Sequence, residues 1–238
     1  NTDTPGPNVG DWEDKGTHFE KGGYQNAGNY NLIIRTSSTK NFEEGVLMLV
    51  VVVEKARLDD IETNQIASES LTKIYGDFDP VFSITRTGLG FDGELTISFE
   101  RENGEDFGSY DFLDSSILID NPNYIISFAA GENVDAFSIT KREKFIEPNK
   151  FTKIYGTEDT LIRQVITTTN PLFSDTVTLT YERDLDNKNV GIYDLISVSC
   201  NNANYIYSFS GNSNINKFEI LRRNVYVSAD DKESTYSE

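Results

Sequence analysis

Apolar and polar residues alternate at a period of two along much of this chain. Leu95-Thr96-Ile97-Ser98-Phe99 and Val177-Thr178-Leu179-Thr180-Tyr181 send every second side chain to one apolar face, the pattern of a half-buried β-strand. Tyr124 to Phe128 and Tyr205 to Phe209 are rich in aromatic and β-branched residues, which suit a pleated, partly buried surface. Val46 to Val53 is a continuous apolar run. It predicts a strand buried on both faces and is too short to cross a bilayer. Asn, Gly and Asp cluster at Arg101 to Gly108 and at Asp184 to Asn189, which predicts hairpin loops. Leu58 to Ser70 breaks the rhythm, with helix formers and apolar residues at Leu58, Ile61 and Ile66. It reads as a short helix or as a linker. The opening segment, with Pro, Gly, Asp and Asn, reads as an irregular linker. Short, evenly spaced strands predict an all-β chain of small, Ig-like β-sandwich modules in tandem, forming an elongated array. β-grasp-like modules with a short helix are the alternative.

The strands come in sets. Leu71-Thr72-Lys73-Ile74-Tyr75-Gly76 returns as Phe151-Thr152-Lys153-Ile154-Tyr155-Gly156, 80 residues later. Phe99-Glu100-Arg101 then answers to Tyr181-Glu182-Arg183, and Gly108-Ser109-Tyr110 to Gly191-Ile192-Tyr193. Asn123-Tyr124-Ile125 answers to Asn204-Tyr205-Ile206, and Phe137-Ser138-Ile139 to Phe218-Glu219-Ile220. The order is kept while the offset drifts by a few residues, as small loop insertions would produce. Fragments of the pattern precede and follow these two copies. Gly28-Asn29-Tyr30, Asn41-Phe42 and Val51 to Lys55 correspond to the later part of a copy, and Lys232 to Tyr236 to the start of one. The expected division is a linker and partial first repeat at 1–57, repeats at 58–147 and 148–226, and the start of a further repeat or linker at 227–238. The chain reads as a window on a longer array.

A glycine two residues before a tyrosine suggests a turn with open backbone angles. The tyrosine can then pack its ring inward and reach a backbone group with its hydroxyl. Tyr75 and Tyr155, each followed by glycine, are expected to do similar work at the start of each module. Repeated tyrosines lining a glycan site are the functional alternative.

Taken together, these residues resemble the MBG repeat, YG type, of large bacterial surface proteins and adhesins. Copy two carries Lys73-Ile74-Tyr75-Gly76-Asp77, Asp79-Pro80, Thr87-Gly88-Leu89, Gly108-Ser109-Tyr110, Asn123-Tyr124 and Ile139-Thr140-Lys141. Copy three departs from the pattern with Thr157 and Thr160 in place of the aspartate and the proline, and it lacks the Thr-Gly-Leu. The resemblance implies a cell-surface, extracellular location and a stalk or adhesive role in cell adhesion, and it implies no particular ligand.

Composition narrows the chemistry. Thirty-nine acidic against 21 basic residues leave a formal net charge of −18, which argues against nucleic acid and against anionic membranes as partners. The single cysteine, Cys200, precludes a disulfide within the chain. It aligns with Ile119, at the end of an apolar stretch, and is expected in a core. His18 is the only histidine, so a histidine-rich metal site is excluded and a nucleophile–base pair would have to join Cys200 to it. Carboxylates abound, but copies of about 80 residues are too small to frame a deep glycosidase cleft. Calcium is the weakly suggested cofactor, through Asp184 to Asn189. That loop lacks the glycine and the closing glutamate of an EF-hand and also reads as a solvated tip. Trp12 could stack on a sugar or cap the first module. No catalytic, metal or cofactor residue is assigned, and no ligand-binding residue is known. The expected function is a non-enzymatic spacer in a surface adhesin, with neighbouring repeats of the same chain as partners. The alternatives are a module that binds host glycan or protein, and an accessory region of a carbohydrate-active enzyme.

Overall fold

The computed structural model describes residues 26–36, 43, 45–89, 93–234 and 236. Two strands form the first hairpin, β1 (Gly28–Thr36) and β2 (Gly45–Val53). Eight more run through copy two. They are β3 (Ala56–Arg57), β4 (Thr72–Ile74), β5 (Ser83–Thr87), β6 (Glu94–Ser98), β7 (Gly108–Tyr110), β8 (Leu118–Ile119), β9 (Tyr124–Ile125) and β10 (Phe137–Thr140). Eight run through copy three. They are β11 (Arg142–Ile146), β12 (Phe151–Ile154), β13 (Ile162–Thr169), β14 (Ser174–Arg183), β15 (Gly191–Tyr193), β16 (Leu195–Cys200), β17 (Tyr205–Phe209) and β18 (Phe218–Leu221).

The two sets are wired alike. The first strand of each runs parallel to the seventh, β3 to β9 and β11 to β17. The second runs parallel to the eighth, β4 to β10 and β12 to β18. The fifth closes the far edge of the eighth, in the orders β4-β10-β7 and β12-β18-β15. The third, fourth and sixth make an antiparallel sheet, β5-β6-β8 and β13-β14-β16. The repeat in sequence is therefore a repeat in topology, strand for strand, and the molecule is all-β with small sandwich-like sheets.

By internal packing the chain divides into two compact units. The first comprises 1–71, 81–102 and 110–137, and the second 72–80, 103–109 and 138–238. The core of the first is aromatic. Phe99 and Phe112 meet at 4.9 Å, Phe82 and Phe112 at 5.1 Å, Phe99 and Phe128 at 5.1 Å, and Phe82 and Phe137 at 5.3 Å, mostly edge to face. Each such pair adds about 0.5–1.5 kcal/mol beyond burial alone. Leu95, Ile97, Phe99 and, in the second unit, Val177, Leu179 and Tyr181 are buried, as their alternation predicts.

Several expectations need correction. β2 is not buried. Val46, Leu47, Met48, Leu49, Val50 and Val52 are exposed, because β2 pairs only with β1 and the described residues put no second layer on the hairpin. Leu58 to Ser70 holds no α-helix. It makes two 3-10 turns, Thr63–Gln65 and Ser68–Ser70, while Leu58, Ile61 and Ile66 are buried. The loops after β6 and β14 are not hairpins. Each carries the chain from the antiparallel sheet to the mixed one, since β7 and β15 pair with the last strand of their copy and not with their predecessors.

Candidate functional site

The Lys-Ile-Tyr-Gly stretch makes the same turn in both copies. The Asp77 N–H donates to the Ile74 carbonyl at 3.0 Å, and the Thr157 N–H to the Ile154 carbonyl at 3.1 Å. Gly76 and Gly156 occupy the third position at φ +81° and +80°, a left-handed geometry that this turn reserves for glycine. The lysine ahead of each turn is tethered by an aspartate six residues on. Lys73 Nζ lies 2.6 Å from Asp79 and 2.5 Å from Glu105, with its side chain only 3 % exposed. Lys153 lies 2.7 Å from Asp159, which also takes Arg183 at 2.6 Å. The hydrogen bond from Arg183, and then that from Lys153, holds the Asp159 carboxyl below its ordinary pKa. Arg183 further donates to the carbonyls of Asp184 and Asn187 at 2.7 and 2.8 Å. A guanidinium thus closes the 184–189 loop and takes oxygens that a calcium ion would need. Among the described residues no three His, Cys, Asp or Glu side chains gather as metal ligands.

Beyond the turn, the two tyrosines part. Tyr75 is buried against Phe173 and Tyr205, edge to face at 5.2 and 5.3 Å. Its hydroxyl donates to Asp175 Oδ2 at 3.0 Å, and the Tyr205 hydroxyl donates to the same oxygen at 2.5 Å. Asn170 Nδ2 donates to Tyr205 at 2.5 Å. Burial first, and the acceptor Asp175 second, push both phenols up, so they stay neutral and act as donors. Gly76 fits under this cluster because a Cβ there would stand 2.6 Å from the Asn170 side chain. Tyr155 has no such cover and is 46 % exposed. The expectation that the two tyrosines do similar work therefore fails beyond the shared turn.

The Asn-Tyr pair turns out to be a clasp. Asn204 Oδ1 accepts from the Phe107 N–H at 2.7 Å, and its Nδ2 donates to Asp106 Oδ1 at 2.8 Å. Asn123 does the same one repeat earlier. Its Oδ1 accepts from the Ala27 N–H at 2.7 Å, and its Nδ2 donates to Asn26 Oδ1 at 2.9 Å. Each asparagine grips the two residues just before the Gly-x-Tyr of the preceding copy. The carbonyl of each clasping asparagine also binds the first strand of its own set, from the N–H of Arg142 at 2.9 Å and of Ala56 at 2.8 Å. Arg142 in turn donates to the Tyr75 carbonyl at 2.6 Å and pairs with Asp77. One clasp lies within each compact unit. Sequence reasoning saw these asparagines repeat but assigned them no role. The signal was available, since side chains that join successive copies recur with the copies.

The tyrosine of the Gly-x-Tyr unit reaches a backbone carbonyl as expected in two places, but the glycine opens a strand and makes no turn, and Gly191 has no positive φ. The Tyr193 hydroxyl donates to the Asn189 carbonyl at 2.7 Å, and Tyr30 to the Asn26 carbonyl at 2.7 Å. A Cβ on Gly191 would sit 3.0 Å from the Tyr193 hydroxyl, so the ring needs the glycine beneath it. Cys200 is half-buried in β16 and pairs with Leu179, as Ile119 pairs with Ile97. Burial pushes its thiol up, away from the thiolate that a nucleophile requires. His18 and Trp12 lie outside the described residues. In copy three a groove of about 520 Å³ opens between Asp159, Leu161, Tyr181, Arg183, Leu185 and Ile196.

A set of small all-β repeats joined by a recurring clasp is a repeat-type region. The comparisons agree. Residues 65–133 match the family model described as MBG domain (YGX type), so this part of copy two is similar to that family. No curated protein and no solved structure matches the chain.

Proposed function

We propose that this chain is a non-enzymatic spacer from the stalk of a bacterial surface adhesin, working outside the cell. The observation that carries the reading is the clasp, made twice with the same residue positions, Asn123 on 26–27 and Asn204 on 106–107. An array built by nearest-neighbour contacts gains reach with each copy and needs no other partner. The match of copy two to a repeat found in surface proteins supports the location. Single-molecule extension of the whole chain tests the reading. Complete copies of about 80 residues should each release about 28 nm of chain at about 3.5 Å per residue. A chain that yields without discrete, repeat-sized steps would sink the spacer reading.

The groove in copy three favours a second reading, a module that docks host glycan or protein. Leu161, Leu185 and Ile196 are exposed there beside the buried Arg183, and Asp159, Glu182, Asp184 and Asp186 share the lining, an apolar patch with a charged border. Among the described residues one exposed aromatic recurs, Phe145 in β11 and Tyr226 81 residues on, which is the kind of repeated surface this reading needs. Phe78 and Phe107 are exposed in copy two and Tyr155 in copy three, at unrelated positions. A glycan array of the whole chain, with calcium and with chelator, separates the readings. Silence favours the spacer, and binding lost on Leu185→Asp favours the groove.

A further inference from the structure

We infer that the open end of copy three is a docking surface for the Asn-Tyr-Ile strand of another such repeat. Copy two shows what such a surface consists of once it is filled. It offers the segment that leads out of its last strand and becomes the first strand of the next set (β11), the two residues before its Gly-x-Tyr (Asp106 and Phe107) and the tyrosine of its turn (Tyr75). The repeat that follows fills all three. β17 runs parallel to β11 from Arg142↔Tyr205 to Ile146↔Phe209. Asn204 grips Asp106 and Phe107, and Tyr205 and Asp175 cover Tyr75.

Copy three presents the same three features uncovered. Arg223-Asn224-Val225-Tyr226-Val227 follows β18 at the spacing by which Arg142–Ile146 follows β10. It repeats the leading arginine and the aromatic–aliphatic end of that strand. It lies in no strand, and Val225, Tyr226 and Val227 are among the most exposed apolar residues of the molecule. Asn189 and Val190 stand where Asp106 and Phe107 stand; all four are exposed, and what sets 189–190 apart is that no asparagine among the described residues grips them as Asn204 grips 106–107. Tyr155, with Ile154 beside it, is exposed where Tyr75 is buried. Tyr236 falls 81 residues after Tyr155, so the tail keeps the period of the repeat beyond the candidate strand.

Strand addition satisfies a row of main-chain donors and acceptors at once, while side-chain pockets set the specificity. Here the pocket is the clasp, and its demand is an asparagine followed by an aromatic residue. The occupant is therefore another repeat of this kind and not an arbitrary extended peptide. The inference concerns docking alone, and it stands or falls separately from the spacer reading.

The experiment compares residues 1–238 with the same residues extended after Glu238 by a second copy of residues 158–226, using hydrogen exchange. In residues 1–238 alone the amides of 223–227 should exchange at the rate of free peptide. In the extended chain they should slow at least about tenfold. Asn→Ala at the added equivalent of Asn204 should return most of that protection while the added strands stay protected. Tail amides that exchange freely beside a folded added copy would overturn the inference. So would an added copy that stays unfolded beside an intact chain, because copy three folds against the same surface offered by copy two.

Discussion

Tyr75 and Tyr155 head the same turn, with the same glycine after them at the same backbone angle, yet one is 5 % exposed and the other 46 %. The backbone of the turn does not separate them, although Thr157 follows the glycine in copy three where Asp77 does in copy two. What differs is the company beyond the turn. Phe173, Asp175 and Tyr205 close over Tyr75, and Tyr155 meets no such set. The comparison teaches that a repeated motif fixes a local shape, while its energetic weight depends on whether a neighbouring copy completes it.

Mutations can break that comparison. The largest effect is expected from Tyr75→Ala, about 3–5 kcal/mol of lost stability for a buried aromatic. Tyr155→Ala should cost within about 1 kcal/mol as a surface change. Urea denaturation of both variants measures the gap, and equal costs would refute it. Gly76→Ala and Gly156→Ala come next. Both force a Cβ into a left-handed backbone, at about 1–2 kcal/mol. Gly76→Ala must also displace Asn170, so its loss of Tm should be the larger.

The clasp sharpens the picture further. Asn204→Ala removes the acceptor of the part-buried Phe107 N–H and should cost about 0.5–1.5 kcal/mol, with Asn123→Ala close behind. Hydrogen exchange at Phe107 and Ala27 would report each loss separately. Alkali adds a smaller effect. Tyr75 and Tyr205 ionise above their ordinary value in the fold, and burial pushes Tyr181 up to about 12. A raised folded pKa contributes stability that is whole below the unfolded value near 10 and is lost as pH climbs past it. Stability should therefore decline from about pH 10 toward 12, and Tyr75→Phe should flatten that decline.

Acid gives the mildest contrast, through the carboxylates whose folded pKa is depressed, Asp159 and Glu132. Asp159 has a depressed folded pKa. Its contribution is present above the unfolded value of about 4 and fades as pH falls through the folded one. Asp159→Asn should remove that part of the acid slope in a pH-resolved melt, and an unchanged slope would count against the Arg183–Asp159–Lys153 link.

Much of the fold was legible from side-chain order. Leu95, Ile97, Phe99 and Val177, Leu179, Tyr181 announced their strands by alternation and are buried as alternation requires. The repeat announced that both sets would be wired alike. The site was less legible. Asn123 and Asn204 were visible as recurring residues, but their partners lie about 97 residues back in the chain. A one-dimensional period cannot show which copy a side chain reaches. β2 misled for a related reason. An apolar run states a preference for burial, and only a covering layer can grant it. Among the described residues β2 has β1 alone.

The chain's sequence by itself determined the strands, the glycine turns at Gly76 and Gly156, and the copy number of the pattern, because each rests on contacts within a few residues or on a period. Only the tertiary structure decided that the first strand of each copy runs parallel to its seventh, that Asn204 grips 106–107, and that Tyr75 is core while Tyr155 is surface. Those outcomes depend on which distant segments meet. The free energy of meeting is shared among many weak contacts that no single stretch of sequence carries.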